Sequence, residues 1–195
     1  MTGKTHAAVG LVTGLALSAG EPIETKLIFV VASTIGSLAP DLDHPKAKLN
    51  QRLLLFKNKF YSFLFYLLLA AGSVYLYIST KNVLFGLLGT MAFLISISSH
   101  RGFTHSVLGF LISTYIIKII AIEYSLPNMY CGFSIGYLTH IIADFFTVRG
   151  IQLFYPLDKR VSSPIVLNTN NFLESIVLTA ISFYSMYLLY LSIQI

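Results

Sequence analysis

The strongest constraint on this chain is the length of its uncharged apolar runs. Residues 60–79, 83–99, 107–122 and 173–195 carry almost no charge, over lengths near the roughly 20 residues that a helix needs to cross a bilayer. Lys118 interrupts the third run. Backbone polar groups in lipid must be satisfied within the segment, so runs of this kind fold as helices. Charged residues make up only 11% of the chain, against about 25% in a typical soluble protein. The expectation is an all-α, polytopic membrane helical bundle, a single domain over residues 1–195 with about seven hydrophobic segments.

The other three segments, 7–20, 27–39 and 130–143, are shorter and rich in Gly, Ala, Ser or Thr. Small residues let helices approach closely in lipid, so these segments are expected at the packed centre of the bundle, some of them only part-embedded. The first also imitates a secretory signal peptide, with Lys4 ahead of an apolar stretch ending in Leu17-Ser18-Ala19. It is expected to be retained as the first helix, since the later segments already give the chain a reason to enter the membrane. Cys131 is the single cysteine, which excludes an intramolecular disulfide and a thiolate metal site. It reads as a small packing residue.

If all seven segments cross, the loops alternate sides. One side then holds Lys4, Lys46, Lys48, Arg52, Lys57, Lys59, Arg101, Arg149, Lys159 and Arg160, and the other holds Lys26, Lys81 and Lys118. Ten basic residues against three make the first side cytoplasmic by the positive-inside rule. The polar stretches 41–59 and 149–171 fall there too, and Leu53, Leu54, Leu55 and Phe56 suit the first to either the membrane interface or a solvated loop. A net charge of +5 adds attraction to anionic headgroups, so the bilayer is the expected partner. No nucleic-acid partner is expected, and the chain has no Gly-x-Ser-x-Gly elbow, P-loop or dinucleotide fingerprint.

All five histidines lie in four short polar clusters: Thr5-His6, Pro40-Asp41-Leu42-Asp43-His44-Pro45, His100-Arg101-Gly102-Phe103-Thr104-His105-Ser106, and His140 to Asp144. The alternation that sorts the basic residues puts all four clusters on the same side. Imidazole and carboxylate are the usual ligands of zinc and other first-row divalent metals, so five histidines and three aspartates could hold one or two ions.

The prolines at 40 and 45 limit backbone freedom around Asp41, Asp43 and His44, so this turn can aim several ligands at one ion or bridge two. A capped polar turn is the simpler reading. His100 and His105 would diverge on a continuous helix, but Gly102 can break it and let both turn inward. Thr104-His105-Ser106 would then open the next helix, where free amides and Arg101 suit a phosphate. His140 and Asp144, at i and i+4, share a helix face. They suit a shared ion, a His-carboxylate pair or an intramembrane relay.

In this order the clusters, followed by Thr147 through Gly150 and Tyr155-Pro156, resemble the YdjM-like family of inner-membrane, metal-dependent hydrolases. The resemblance covers most of the chain to about Arg160. It implies hydrolysis with a bound divalent metal, most simply Zn2+ with Mn2+ as the second candidate, in a bacterial inner membrane with the polar site facing the cytoplasm. Carried onto matching positions, the metal set is His6, Asp41, Asp43, His44, His100, His105, His140 and Asp144. A distant kinship to zinc-dependent phospholipase C enzymes is also implied, although their pattern uses an N-terminal tryptophan and this chain has no Trp.

The function expected from these readings is cleavage of a phosphoester, in a lipid or another membrane-proximal substrate, by a metal-activated water. Asp41, Asp43, Asp144 and Arg101 are the candidate catalytic residues, the aspartates as ligands or general base and Arg101 as a phosphate ligand. The alternative is a metal-binding membrane transporter or ion-relay protein without hydrolytic activity. A scaffold whose polar turns only pack helices leaves the histidine pattern unexplained.

Overall fold

The computed structural model describes residues 2–43, 58–99, 101–166 and 171–193. His44 and His100 lie outside the described residues. Seven α-helices appear among the described residues: α1 (Gly3–Leu17), α2 (Ile23–Gly36), α3 (Lys59–Thr80), α4 (Val83–Ile97), α5 (Val107–Glu123), α6 (Pro127–Phe145) and α7 (Asn171–Ile193). Two 3-10 turns, Ala39–Asp43 and Phe103–His105, follow α2 and precede α5. The all-helical bundle expected from the sequence is present.

Local chemistry sets the helix ends. Asn58 and Asn82 cap α3 and α4 by accepting from the amides of Tyr61 and Leu84, each at 2.9 Å. Lys81 takes a left-handed conformation to close α3, so α3 and α4 form a tight hairpin. Ser106 caps α5 by accepting from the Gly109 amide at 3.0 Å, and Pro127 occupies the first turn of α6.

The small-residue segments form the centre, as expected. Helices α1, α2 and α6 pack against one another, α5 covers α6, and α7 packs on α1. A methyl group added at Gly132 or Gly136 of α6 would strike the carbonyl of Phe29 or Ser33 on α2, and one at Gly36 of α2 would strike that of Phe133. Glycines four apart therefore bring the two backbones together, the close approach that small-xxx-small spacing gives in membranes. Ala32, Phe133, Tyr137 and Ile141 fill the core beside this contact.

By contrast, α3 and α7 expose Phe60, Leu68, Tyr75, Ile78, Phe172, Phe183 and Met186, surface that suits lipid and not water. Among the described residues, three stretches are long and apolar enough to cross a membrane: Ile23–Asp43, Lys59–Thr80 and Phe172–Ser192. The segment at 27–39 is thus longer than its apolar run, because the helix starts at Ile23 and a 3-10 turn extends it. Runs 83–99 and 107–122 instead give helices of 15 and 17 residues, about 22 and 26 Å at 1.5 Å per residue, short of a core about 30 Å thick.

Candidate metal centre

Four polar elements meet at one end of the bundle. They are the first turns of α1, the 3-10 turn after α2, the turn between α4 and α5, and the last turns of α6. His6, Asp43, Arg101, His105, His140 and Asp144 are all buried there. Apart from Lys26, no other Asp, Glu, Lys, Arg or His is buried among the described residues. Buried ionisable groups are costly in a membrane protein unless they are paired, and these six pair with one another.

Asp144 receives Arg101 Nη2 at 2.9 Å and His6 Nε2 at 3.3 Å, and its Oδ2 lies 3.6 Å from His105 Nε2. The ring of His6 stacks on that of His140, with centroids 3.8 Å apart, and His6 Nδ1 is buried without a hydrogen-bond partner. Asp41 Oδ1 lies 3.9 Å from both His105 Nε2 and His140 Nε2. Its side chain is 21% exposed, which makes it the carboxylate with access to solvent.

The hydrogen bonds decide where the ring protons sit. His140 Nδ1 lies 2.6 Å from the carbonyl oxygen of Ser37, which can only accept, so this nitrogen carries the proton. Thr104 Oγ1 donates its one hydrogen to Asp43 Oδ2 at 2.7 Å, so it accepts from His105 Nδ1 at 3.0 Å. In the neutral rings both Nε2 atoms therefore present lone pairs, and these face each other at 3.1 Å. Two lone pairs at that distance repel unless a positive charge lies between them.

This donor set suits a divalent cation. His6, His140 and Asp144 form one group of converging ligand atoms, and Asp41, His105 and His140 a second, each within 4.8 Å. Neutral imidazoles held by an outer carbonyl or carboxylate on the opposite nitrogen are the usual arrangement of metal-binding histidines.

The helix breaks around Gly102 as expected, and Arg101 beside it takes the left-handed backbone, with φ of 65°, a conformation that costs a non-glycine residue roughly 1–2 kcal/mol. Its neighbours hold it there: the Arg101 amide donates to Asp43 Oδ2 at 3.1 Å, and its carbonyl accepts from the Gln152 amide at 3.0 Å. The side chain then turns inward, where Nη1 donates to Thr147 Oγ1 at 2.8 Å and to the Gly150 carbonyl at 3.2 Å. Arg101 thus clamps Asp144 and the loop after α6.

The two aspartates of the proline-flanked turn face different partners. Asp41 looks toward the two Nε2 atoms, whereas Asp43 accepts from the backbone of Arg101 and from Thr104, and lies 3.6 Å from His105 Nδ1. Sequence reasoning missed Thr104, Ser37 and Glu174 as supports of the cluster. Glu174, in the first turn of α7, accepts from Thr5 Oγ1 at 2.7 Å and from the Thr2 amide, which fixes the start of α1 beside His6. Its signal was a carboxylate near the head of an otherwise apolar run.

The fold and this cluster together define a helical membrane protein with a buried His/Asp centre at one end. The chain belongs to the family described as YdjM inner membrane protein, whose model matches residues 1–195. It is 27% identical over 191 residues to the uncharacterized protein YvsG of Bacillus subtilis (strain 168), covering 98% of this chain and 96% of that protein. It is 30% identical over 162 residues to inner membrane protein YdjM of Escherichia coli (strain K12), covering 82% of this chain and 65% of that protein, with the same figures for Shigella flexneri. No solved structure matches the chain.

Proposed function

We propose that this protein is a membrane-embedded, metal-dependent hydrolase of phosphoesters. The observation that carries the reading is the pair of Nε2 lone pairs of His105 and His140 at 3.1 Å, ringed by the carboxylates of Asp41 and Asp144. His6, Asp41, His105, His140 and Asp144 would hold the ion. Zinc suits this nitrogen and oxygen set best, and manganese is the second candidate. A divalent ion there would supply Lewis acidity, polarising a water and a phosphoryl oxygen.

The remaining roles fall to the protein's own groups. Asp41 would ligate through Oδ1, the oxygen facing His105 and His140, and its second carboxylate oxygen, with solvent access, would take the proton of the attacking water and return it to the oxygen that leaves phosphorus. Asp43 orients His105 directly and through Thr104, and Arg101 holds Asp144 in place. The substrate class is a phosphoester of a lipid or another membrane-proximal molecule, because the cluster lies at one end of the bundle. The distribution of basic residues supports a cytoplasmic position for that end, and the family match supports a bacterial inner membrane. The transporter reading has less support, since apart from Lys26 the described buried ionisable residues are confined to one end and mark no route through the bundle.

The test is elemental mass spectrometry of detergent-purified protein beside folded His105→Ala and His140→Ala variants. Stoichiometric zinc or manganese in the wild type, lost in both variants, supports the site and is followed by assays on phospholipids and generic phosphodiesters. Absence of metal after resupply would turn the cluster into a proton relay or a packing device. Bound metal without turnover of any phosphoester would leave the metal centre and remove the hydrolase.

A further inference from the structure

Residues 146–166, the loop that follows α6, join an inner side bonded to the bundle to an unusual outer one. On the inner side, Ile151 and Val161 bridge with N···O distances of 3.0 and 2.8 Å. Leu153 O accepts from the Val107 amide at 3.0 Å, and the Ser163 amide donates to Phe145 O at 3.0 Å. Ile151 is fully buried in the core cluster. These bonds, with the Gln152 amide donating to the Arg101 carbonyl and the Gly150 carbonyl accepting from Arg101 Nη1, fix these residues on the end of the bundle that carries the His/Asp cluster.

On the outer side the same loop exposes Val148, Phe154, Leu157 and Ile165, the last two at 65% and 75%. Arg149, Lys159 and Arg160 are exposed among them. Asp158 is the one acidic residue of the loop, and its carboxylate accepts from Gln152 Nε2 at 2.9 Å. Large apolar side chains interleaved with basic ones, at the end of helices that cross a bilayer, have the composition of a segment lying in the headgroup region.

We infer that this loop is a membrane-interface element that seats its apolar side chains at the headgroup boundary and binds anionic phospholipid through Arg149, Lys159 and Arg160. The occupant is lipid and not a second copy of the chain, because pairing two such surfaces would oppose like charges. Lys4 and Lys59, exposed on the same end, extend the basic character of this face. The inference stands on the membrane fold and does not depend on the metal centre.

The chain has no tryptophan, so Phe154→Trp gives a single fluorescent reporter in the full-length protein. It is reconstituted into phosphatidylcholine vesicles with and without phosphatidylglycerol, using lipids brominated near the glycerol end of the acyl chains as quenchers. The expected result is blue-shifted emission, quenched most strongly when the bromine is carried by phosphatidylglycerol. Each basic residue at an anionic surface is worth roughly a fivefold preference, so adding Arg149→Gln, Lys159→Gln and Arg160→Gln together should weaken the phosphatidylglycerol preference by up to about a hundredfold.

Emission typical of a water-exposed indole, unquenched in both vesicles, would overturn the inference. So would quenching that ignores the anionic lipid or the triple substitution, or that changes with protein density as a protein-protein contact would. Leu157→Trp repeats the measurement at a second exposed position, so a misfolded first reporter does not decide the outcome.

Discussion

His105 Nε2 and His140 Nε2 face each other at 3.1 Å, each ring already using its Nδ1, toward Thr104 and toward the Ser37 carbonyl. His140 therefore has one nitrogen left to give, and both converging ligand groups need it. We predict one bound ion per chain among these residues and not two. Titration of metal-free protein with zinc, followed by equilibrium dialysis, should saturate at one equivalent. Asp43→Asn, which removes no ligand but alters the support of His105 and of the Arg101 amide, should weaken affinity by about 10–100-fold without abolishing it, as outer-sphere changes do. Saturation at two equivalents would show that the groups act as separate sites.

The Arg101–Asp144 pair, at 2.9 Å and nearly solvent-free on both sides, makes a second prediction. Removing one partner of a buried pair strands the other charge, which costs about 3–5 kcal/mol. Arg101→Met and Asp144→Leu should each lose stability on that scale in metal-free protein, and the double variant should lose much less than their sum. Unfolding in mixed micelles across the double-mutant cycle measures the coupling. Additive losses would mean that Arg101 and Asp144 do not depend on each other in the folded state.

Much of this arrangement was legible in the sequence because membrane helices declare themselves by length and composition. The seven apolar runs became seven helices, and the small-residue segments at 7–20, 27–39 and 130–143 took the centre. The alternation of loops brought His6, Asp41, Asp43, His105, His140 and Asp144 to one end before any geometry was known. The division of labour within the cluster was not legible. Asp41 and Asp43 look equivalent in Pro-Asp-Leu-Asp, and only the 3-10 turn aims one at the rings and the other at the Arg101 amide. Likewise, Ser37 contributes a backbone carbonyl, which carries no residue signature.

Close packing of α2 on α6 positions the Ser37 carbonyl under His140, so the glycine contact should matter to the site as well as to the fold. Gly136→Ala pushes a methyl against the Ser33 carbonyl, and overpacking of this kind costs about 1–3 kcal/mol. Metal affinity should fall with stability, since the two helices must separate. Gly72→Ala on α3 is the control: nothing lies within 4 Å of the added methyl, and alanine is favoured over glycine in a helix interior by up to about 1 kcal/mol. Equal behaviour of the two variants in thermal unfolding would contradict the close approach described for α2 and α6.

Orientation can be read directly, because Cys131 is the only thiol to remove. In a Cys131→Ser background, Ser162→Cys reports on the exposed loop at the end that carries the His/Asp cluster and Lys81→Cys on the opposite end. A membrane-impermeant maleimide should label position 162 only in inverted vesicles and position 81 only in right-side-out ones. The reverse pattern would place the His/Asp centre outside the cytoplasm and overrule the count of basic residues.

The last prediction concerns α7, whose Glu174 reaches the head of α1 beside the centre. This carboxylate holds Thr5 and the Thr2 amide, and His6 follows directly in the same turn of α1. Glu174→Ala should therefore loosen the start of α1 and withdraw His6 from Asp144, leaving the α2–α6 contact intact. The expected signature is a weakened affinity for zinc with little change in unfolding midpoint of the metal-free protein. Adding His6→Ala to Glu174→Ala should then cost almost nothing more in affinity, because both changes remove the same ligand. Further loss in the double variant would show that Glu174 acts on the centre by a route other than His6.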